Sequence, residues 1–284
     1  MGQVGLIGLG RMGGAMLARL VATGPAPLVW DESPPALARA AAAGGLPVQG
    51  PAGAAAPVVL LSLPDAGAVE AVLAPLLPAL PAGAVVVDSS TLDPAAARAF
   101  AARAAGHGIA YLDAPVSGGP AGAAAGTLTM MLGGEEAAIA RARPVLERLA
   151  QRILHIGPAG AGQLAKLVNN LLVATHLVVA GEALGLARRA GLPPEVILPV
   201  INTASGRSAV TEVNWPRWIL PGGFDSGFTA GLMRKDLRLA LALADALNAA
   251  LPVCRSAAAA WQDQALPDEA DFNRLSHAIA MGDG

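Results

Sequence analysis

A glycine fingerprint restricts the fold of the N-terminal half more than any other feature of this sequence. Residues 4–9 form an apolar run that predicts a β-strand, and the pattern G-x-G-x-x-G follows at Gly8, Gly10 and Gly13, where a helix over residues 12–21 is predicted to begin. Gly8 allows a tight turn, Gly10 lets a pyrophosphate approach the backbone, and Gly13 lets the helix pack on the strand. The pattern therefore predicts a dinucleotide-binding turn. The alternative is a glycine-rich turn without a ligand.

An acidic residue ends the second predicted strand, residues 28–30. Asp31 stands at the position where a carboxylate receives the ribose hydroxyls of a bound dinucleotide. Glu32 follows it and no arginine stands beside it, so a 2′-phosphate would meet repulsion at this end of the strand. This predicts NAD rather than NADP as the cofactor. The alternative is that Asp31 only caps the turn before Ser33 and Pro34.

The pattern of predicted secondary structure changes after Gly157. Before it, further apolar runs alternate with helical stretches, at residues 58–62, 84–88, 111–113, 127–132 and 152–156. This alternation predicts an α/β fold with a mostly parallel sheet and helices on both faces. Beyond it the patterns are helical, at residues 163–190, from Pro193 and Pro194 onward, and at residues 232–248 and 256–264. We therefore predict a Rossmann-type dinucleotide-binding domain over residues 1–157 and an all-helical domain over residues 158–284.

Composition argues against several classes of partner. The net charge is −2 and there is no basic run, which argues against nucleic acid and anionic membrane surfaces. The four histidines are scattered, so no metal site is predicted, and the single cysteine, Cys254, excludes an internal disulfide. The most apolar stretch, residues 164–187, is too polar for a simple membrane span. The N-terminus has no signal-peptide pattern, and we expect a cytoplasmic protein.

Glycines follow Ser117 in the segment D-A-P-V-S-G-G-P-A-G, residues 113–122. Successive glycines leave backbone N–H groups available to an anion such as a carboxylate, and the Ser117 hydroxyl adds a further hydrogen bond. The segment is therefore a candidate binding loop for a substrate carboxylate. A glycine turn between two strands is the alternative.

Lys166 and Asn170 are four residues apart in the first predicted helix after Gly157, so they lie on one face of it. The surrounding segment is apolar. Burial disfavours the ammonium form of a lysine and moves its pKa toward neutrality, as proton transfer requires. Lys166 is therefore a candidate general acid/base, with the Asn170 amide orienting the amine or a substrate oxygen. The alternative is a lysine whose stem lies along a surface helix.

These motifs, with D-S-S-T at residues 88–91 and K-D-L at residues 235–237, resemble the β-hydroxyacid dehydrogenase family from residue 4 to about residue 279. The resemblance implies a catalytic role for Lys166, with Asn170 orienting the substrate. It implies substrate-carboxylate binding by three residues, Ser117, Gly118 and Gly119. It implies that the cofactor is held by the following residues: Gly8, Gly10, Met12, Gly13, Asp31, Leu63, Pro64, Thr91 and Lys235.

The resemblance also implies a reaction and a partner. Residues 202–208 and 270–272 look most like 3-hydroxyisobutyrate dehydrogenases, so we expect reversible, NAD-dependent oxidation of that short β-hydroxy acid to its semialdehyde. Tartronate semialdehyde reductase, or another substrate of the family, is the alternative. An imine reductase is less consistent with Lys166, and a non-catalytic dinucleotide-binding module less consistent with an intact Lys166 and Ser117 loop. The family likeness further implies a homodimer or homotetramer.

Overall fold

The N-terminal strands form one sheet. A computed structural model describes residues 2–263 and 266–282 of the chain. The strands are β1 (Val4–Ile7), β2 (Leu28–Trp30), β3 (Leu46–Pro47), β4 (Val58–Leu61), β5 (Val85–Asp88), β6 (Ala110–Asp113), β7 (Val116–Ser117), β8 (Leu128–Gly133) and β9 (Ala150–Gly157). Their order is β3-β2-β1-β4-β5-β6-β8-β7, and β9 pairs with β8.

Most neighbouring strands of this sheet are parallel. The pairs from β3 through to β6 are all parallel, whereas β8 runs antiparallel to β6 and β7 and parallel to β9. The predicted mostly parallel sheet is confirmed. The strands β3 and β7 were not predicted, because two residues are too few to show a hydrophobic period.

Helices cover both faces of the sheet. Successive side chains of a strand point to opposite sides, so an apolar strand presents an apolar surface on each face. Leu60 of β4 packs in one buried cluster with Leu17, and its neighbour Leu61 packs in a second cluster with Leu73. The helices of this half are α1 (Arg11–Thr23), α2 (Pro34–Ala42), α3 (Ala66–Leu76), α4 (Pro94–Ala105), α5 (Gly119–Ala125) and α6 (Glu136–Leu149). The continuous apolar strands are thus buried on both sides, as the sequence predicts.

The second half is helical in the part that the structure describes. Its helices are α7 (Ala161–Arg189), α8 (Pro194–Thr203), α9 (Ala230–Ala246), α10 (Pro252–Asp263) and α11 (Arg274–Met281). Described residues after Gly157 form only one isolated β-bridge, between Thr229 and Asp271. A third buried cluster includes Trp215 and Trp261. The predicted all-helical second half is confirmed, although residue 264 of the predicted helix 256–264 lies outside the described residues.

One helical segment, Val210–Ile219, is a π-helix, which was not predicted. The Leu220 N–H donates to the Trp215 carbonyl, five residues back, at 2.9 Å. Pro216 lies inside the segment. A proline has no N–H, and its ring displaces the carbonyl four residues earlier, so the wider turn accommodates it.

The chain divides into two compact units, Met1–Lys166 and Leu167–Gly284. The division falls inside α7, whereas the predicted boundary at Gly157 is the end of the last strand. Helix α7 is also the one helix among the described residues that is long and apolar enough to cross a membrane. Half of its apolar window is buried inside the protein.

Candidate active site

The glycine fingerprint lies at the carboxyl end of β1, between the ends of β2 and β4. The Gly8 N–H donates to the Trp30 carbonyl at 3.0 Å, and the Ser62 N–H donates to the Ile7 carbonyl at 2.9 Å. A β-carbon at Gly8, whose φ is +89°, would collide with the Ser62 backbone. A β-carbon at Gly13 would collide with the Gly8 carbonyl oxygen. The packing of β1 against β4 and α1 therefore requires both glycines.

Gly10 has a different environment. It directly precedes α1, and nothing lies within 4 Å of the place where its β-carbon would be. Internal packing therefore does not require a glycine here, and the open space leaves room for the predicted approach of a ligand. Met12, in the first turn of α1, is half-buried against the core. The first N–H groups of a helix have no intrahelical acceptor and bind anions, so this turn fits the pyrophosphate of a dinucleotide.

Asp31 follows β2 and holds the glycine turn. Its Oδ2 accepts a hydrogen bond from the Leu9 N–H at 2.6 Å, and its Oδ1 accepts one from the Ser33 N–H at 2.8 Å. The side chain therefore does cap the turn at Ser33. A carboxylate accepts about four hydrogen bonds, so Asp31 retains capacity for ribose hydroxyls.

The loops after β4 and β5 carry the residues predicted to line the nicotinamide. The Leu63 N–H donates to Ser90 Oγ at 2.9 Å, which ties the two loops together. Leu63 and Thr91 are half-buried, and Pro64 is exposed. The structure thus brings Leu63 next to the Ser90–Thr91 segment, one strand away from the glycine turn.

A buried carboxylate at the end of β5 had not been singled out as a site residue. Asp88 Oδ2 accepts a hydrogen bond from the Tyr111 hydroxyl at 2.6 Å, and its Oδ1 accepts one from the Ser90 N–H at 2.9 Å. Burial raises the pKa of Asp88 from 3.8 to about 6, and the hydrogen bonds from Ser90 and Tyr111 oppose that shift. Tyr111 belongs to another strand, so no local spacing in the sequence connects the two side chains.

Asp113, the last residue of β6, binds the backbone at the start of α7. Its Oδ1 accepts the Gly160 N–H at 2.7 Å, and its Oδ2 accepts the Gln163 N–H at 2.9 Å. Burial raises the pKa of Asp113, and these backbone N–H groups oppose the shift. A β-carbon at Gly162 would collide with the Met131 carbonyl. Close packing of this turn on the sheet therefore requires a glycine at position 162.

Lys166 lies in the second turn of α7 and is 8% exposed. Its Nζ donates to the Val116 carbonyl at 2.9 Å. This burial excludes the surface-lysine alternative. Val116 belongs to the predicted carboxylate-binding segment, residues 113–122, in which Gly118 and Gly119 have φ values of +123° and +63°. The structure therefore brings the lysine amine to the residue next to Ser117.

Asn170 belongs to the second unit and contacts helix α9 there. Its Nδ2 donates to Asp236 Oδ2 at 2.6 Å, and its Oδ1 accepts from Asn169 Nδ2 at 3.1 Å. Asn170 and Asp236 are both buried, and Lys235 Nζ lies 3.7 Å from Asp236 Oδ1. Asp236 therefore connects two residues that the family resemblance assigns to substrate and cofactor. No role was predicted for Asp236 beyond its place in the K-D-L motif.

Gln163 is a further buried polar residue at the site, and it was not predicted. Its side chain is fully buried, its Oε1 accepts the Leu92 N–H at 2.9 Å, and its Nε2 donates to the Ser90 carbonyl at 2.8 Å. The available signal was a polar residue three positions before Lys166 in an apolar segment. Within the described ranges, 2–263 and 266–282, no group of three or more His, Cys, Asp or Glu side chains could hold a metal ion.

The first unit therefore combines two chemical capacities. A glycine turn fits a dinucleotide, and a buried amine adjoins a glycine loop suited to a carboxylate. Such a combination supports a redox reaction in which a proton moves to or from the amine.

Two family models together match nearly the whole chain. Residues 3–157 match the NAD binding domain of 6-phosphogluconate dehydrogenase. Residues 160–279 match the family described as NAD-binding of NADP-dependent 3-hydroxyisobutyrate dehydrogenase.

Individual proteins are similar over most of their length. A 2-(hydroxymethyl)glutarate dehydrogenase of Eubacterium barkeri is 40% identical over 88% of this chain and 85% of its own. A 3-hydroxyisobutyrate dehydrogenase of Pseudomonas aeruginosa is 40% identical over 89% of each chain. The solved structure of Mycobacterium tuberculosis 3-hydroxyisobutyrate dehydrogenase with L-serine has a TM-score of 0.91 and 37% identity, covering 98% of this chain and 99% of that one.

Proposed function

Because this chain belongs to the β-hydroxyacid dehydrogenase family, we propose that it oxidises a short β-hydroxy acid to its semialdehyde, reversibly and with NAD. The observation that carries the proposal is the buried Lys166 amine, hydrogen-bonded to the Val116 carbonyl beside the Ser117 loop. NAD, when bound, supplies the acceptor for the hydride that leaves the substrate carbon.

The chain's own residues supply binding and proton transfer. Ser117 and the backbone N–H groups of Gly118 and Gly119 hold the substrate carboxylate. The neutral amine of Lys166 accepts the hydroxyl proton as the carbon-bound hydride leaves, and it returns the proton in the reverse direction. Asn170 orients the substrate hydroxyl, and its amide is itself fixed by Asp236.

The proposed substrate is 3-hydroxyisobutyrate. The compounds in the relatives' names share one chemical unit. 3-Hydroxyisobutyrate, 2-(hydroxymethyl)glutarate and L-serine all carry a carboxylate and a CH2OH group on one carbon. They differ only in the third substituent of that carbon, which is a methyl, a carboxyethyl or an ammonium group. One methylene in an apolar pocket changes binding by about 1–3 kcal/mol, so the pocket around this substituent decides the preference.

A spectrophotometric screen of NAD reduction tests the substrate proposal. The acids to compare are 3-hydroxyisobutyrate, 3-hydroxypropionate, glycerate, serine and 2-(hydroxymethyl)glutarate. We expect the largest kcat/KM with 3-hydroxyisobutyrate. A larger value with glycerate would favour the tartronate semialdehyde alternative.

The role of Lys166 is tested by substitution. If it is the general base, Lys166→Ala should lower kcat by about 10²–10⁴-fold, with little change in NAD affinity. Lys166→Arg should restore little activity, because a guanidinium does not accept the proton. The oxidation rate of the wild type should rise with pH as the amine loses its proton. Wild-type turnover by Lys166→Ala would refute the mechanism.

We further propose that the protein prefers NAD to NADP, acts in the cytoplasm and forms a homodimer or homotetramer. Asp31, with the exposed Glu32 beside it, supports the cofactor preference. Large apolar side chains on the second unit support self-association, since Leu172 and Val179 are 50% exposed and Leu186 is 72% exposed on α7.

A further inference from the structure

The Gln163 side chain joins α7 to the backbone on both sides of Thr91. Its Oε1 accepts the Leu92 N–H and its Nε2 donates to the Ser90 carbonyl. A backbone N–H only donates and a carbonyl only accepts. The oxygen of the Gln163 amide must therefore face Leu92 and its nitrogen must face Ser90. The same residue's own N–H donates to Asp113 Oδ2. Gln163 is thus held at both its backbone and its side chain.

Gln163 stands three residues before Lys166, so the two side chains lie on neighbouring positions of one helix face. Ser90, whose carbonyl accepts from Gln163, also accepts the Leu63 N–H through its Oγ. The segment that Gln163 binds is therefore also tied to the loop carrying Leu63. One buried amide thus connects the helix of the lysine amine with both loops assigned to the nicotinamide.

We propose that Gln163 is a positioning residue that sets the spacing between the Ser90–Leu92 segment and the Lys166 amine. The inference rests on the proposed function, because that function gives the two parts their roles. Hydride and proton leave adjacent atoms of the substrate, so their acceptors must be aligned together. A displacement of about 1 Å between reacting groups costs on the order of 10²-fold in rate. Gln163 touches neither substrate nor cofactor in this scheme.

The sharpest variant is Gln163→Glu, which keeps the shape of the side chain. The protonated carboxyl group accepts from the Leu92 N–H and donates to the Ser90 carbonyl, as the amide does. The ionised form places a negative oxygen against that carbonyl. Position 163 is fully buried, which disfavours the ionised form, so Gln163→Glu should lose activity relative to wild type as the pH rises through the pKa of the introduced carboxyl group. Gln163→Met lacks both hydrogen bonds and should lose activity at every pH.

The ratio of variant to wild-type kcat, measured across pH, isolates ionisation of the introduced Glu, because groups present in both proteins cancel. The titratable groups in the hydrogen-bonded set are Asp88 on β5 and Tyr111 and Asp113 on β6. Lys166 follows one turn later on α7, and both proteins carry all four groups. Gln151→Glu is the matched control, because Gln151 is exposed on β9. We expect kcat of Gln163→Met to fall by about 10–100-fold, with a smaller change in NAD affinity, since other residues hold the pyrophosphate and ribose.

A second readout does not depend on turnover. The Leu92 N–H is protected from hydrogen exchange by the Gln163 side chain, so its exchange in Gln163→Met should be at least about tenfold faster than in wild type. In Gln163→Glu, protection relative to wild type should fall over the same pH range in which the kcat ratio falls. Gln151→Glu should leave this amide unchanged.

The outcomes separate the two proposals. A wild-type protein that oxidises none of the acids, or a fully active Lys166→Ala, refutes the proposed function while the exchange measurement still reports on the Gln163 contact. If Lys166→Ala is inactive but Gln163→Met keeps kcat within a factor of about three, the positioning role is wrong. A ratio of Gln163→Glu to wild-type kcat that stays constant with pH while protection of the Leu92 amide changes would also overturn it, because these hydrogen bonds would then not govern turnover.

Discussion

Asp88 and Asp113 end neighbouring strands as buried carboxylates, but their hydrogen-bond partners differ in kind. Both oxygens of Asp113 face backbone N–H groups, of Gly160 and Gln163, which can only donate. One oxygen of Asp88 faces the Tyr111 hydroxyl, which can donate or accept. Asparagine at each position should therefore have very different consequences for stability.

Asp113→Asn places an NH2 group against one of two N–H donors. It removes a hydrogen bond to a charged group, worth about 1.5–3 kcal/mol, and leaves a buried donor unsatisfied, which costs about 1–3 kcal/mol. Because burial also raises the pKa of Asp113, removal of its charge offsets part of this cost, and we expect a net loss of about 1–3 kcal/mol in the free energy of unfolding. In Asp88→Asn, the amide oxygen accepts the Ser90 N–H and the NH2 group donates to the Tyr111 oxygen. We expect a change within about 1 kcal/mol at pH 4.

The pH dependence gives Asp88→Asn a distinct signature. The pKa of Asp88 is raised from 3.8 to about 6 in the folded protein, so the folded state holds this proton more tightly than the unfolded state. Its contribution to stability is therefore full below pH 3.8 and is lost as the pH rises to about 6. The loss is about 3 kcal/mol, from 1.36 kcal/mol per unit of pKa. Asparagine does not titrate, so the variant should gain about 2–2.5 kcal/mol relative to wild type between pH 4 and pH 7.

Urea unfolding followed by far-UV circular dichroism at pH 4 and pH 7 measures both effects. We expect Asp113→Asn to be less stable than wild type at both pH values, and Asp88→Asn to be the more stable protein at pH 7. Similar losses in the two variants at pH 7 would refute the reasoning, because donor and acceptor identity would then not decide the outcome.

Three further predictions concern the cofactor and self-association. Gly10→Ala should keep the wild-type melting temperature but weaken NAD binding, measured by calorimetry, by at least about tenfold. Gly13→Ala should lower the melting temperature, because its β-carbon meets the Gly8 carbonyl. Equal melting temperatures for the two variants would contradict the packing argument. Asp31→Asn should lower the ratio of kcat/KM for NAD to that for NADP, and an unchanged ratio would remove Asp31 from cofactor selection. Val179→Asp should lower the mass of the particle observed by mass photometry, while an unchanged mass would place the subunit contact elsewhere.

Long, regular elements of the fold were predictable from the sequence. The apolar runs of β1, β4 and β5 have no polar interruption, so burial on both faces follows directly. The long helix α7 shows its pattern over 29 residues. The short strands β3 and β7 and the π-helix were not predictable, because their conformations depend on neighbours distant in the sequence or on the accommodation of Pro216.

The candidate site was predictable to the extent that its residues stand in local motifs. Gly8, Lys166 and Ser117 each belong to a contiguous pattern. The connections among motifs were not predictable, because they join residues far apart in the chain. Gln163 reaches Ser90 across 73 positions, and Asn170 reaches Asp236 across 66. No spacing rule within one helix or strand contains that information.

The first turn of α7 obtains a hydrogen-bond acceptor from Asp113, which precedes Gln163 by 50 residues. A shortened chain that ends at Gly157, where the sequence patterns change, would lose the three N–H donors of Gly160, Gly162 and Gln163 that serve this carboxylate. The charge would then remain at the end of β6 without its compensating groups, at a cost that burial makes large. Dissection and domain exchange in this protein should therefore join chains after Lys166, within the helix, and not at the loop that precedes it.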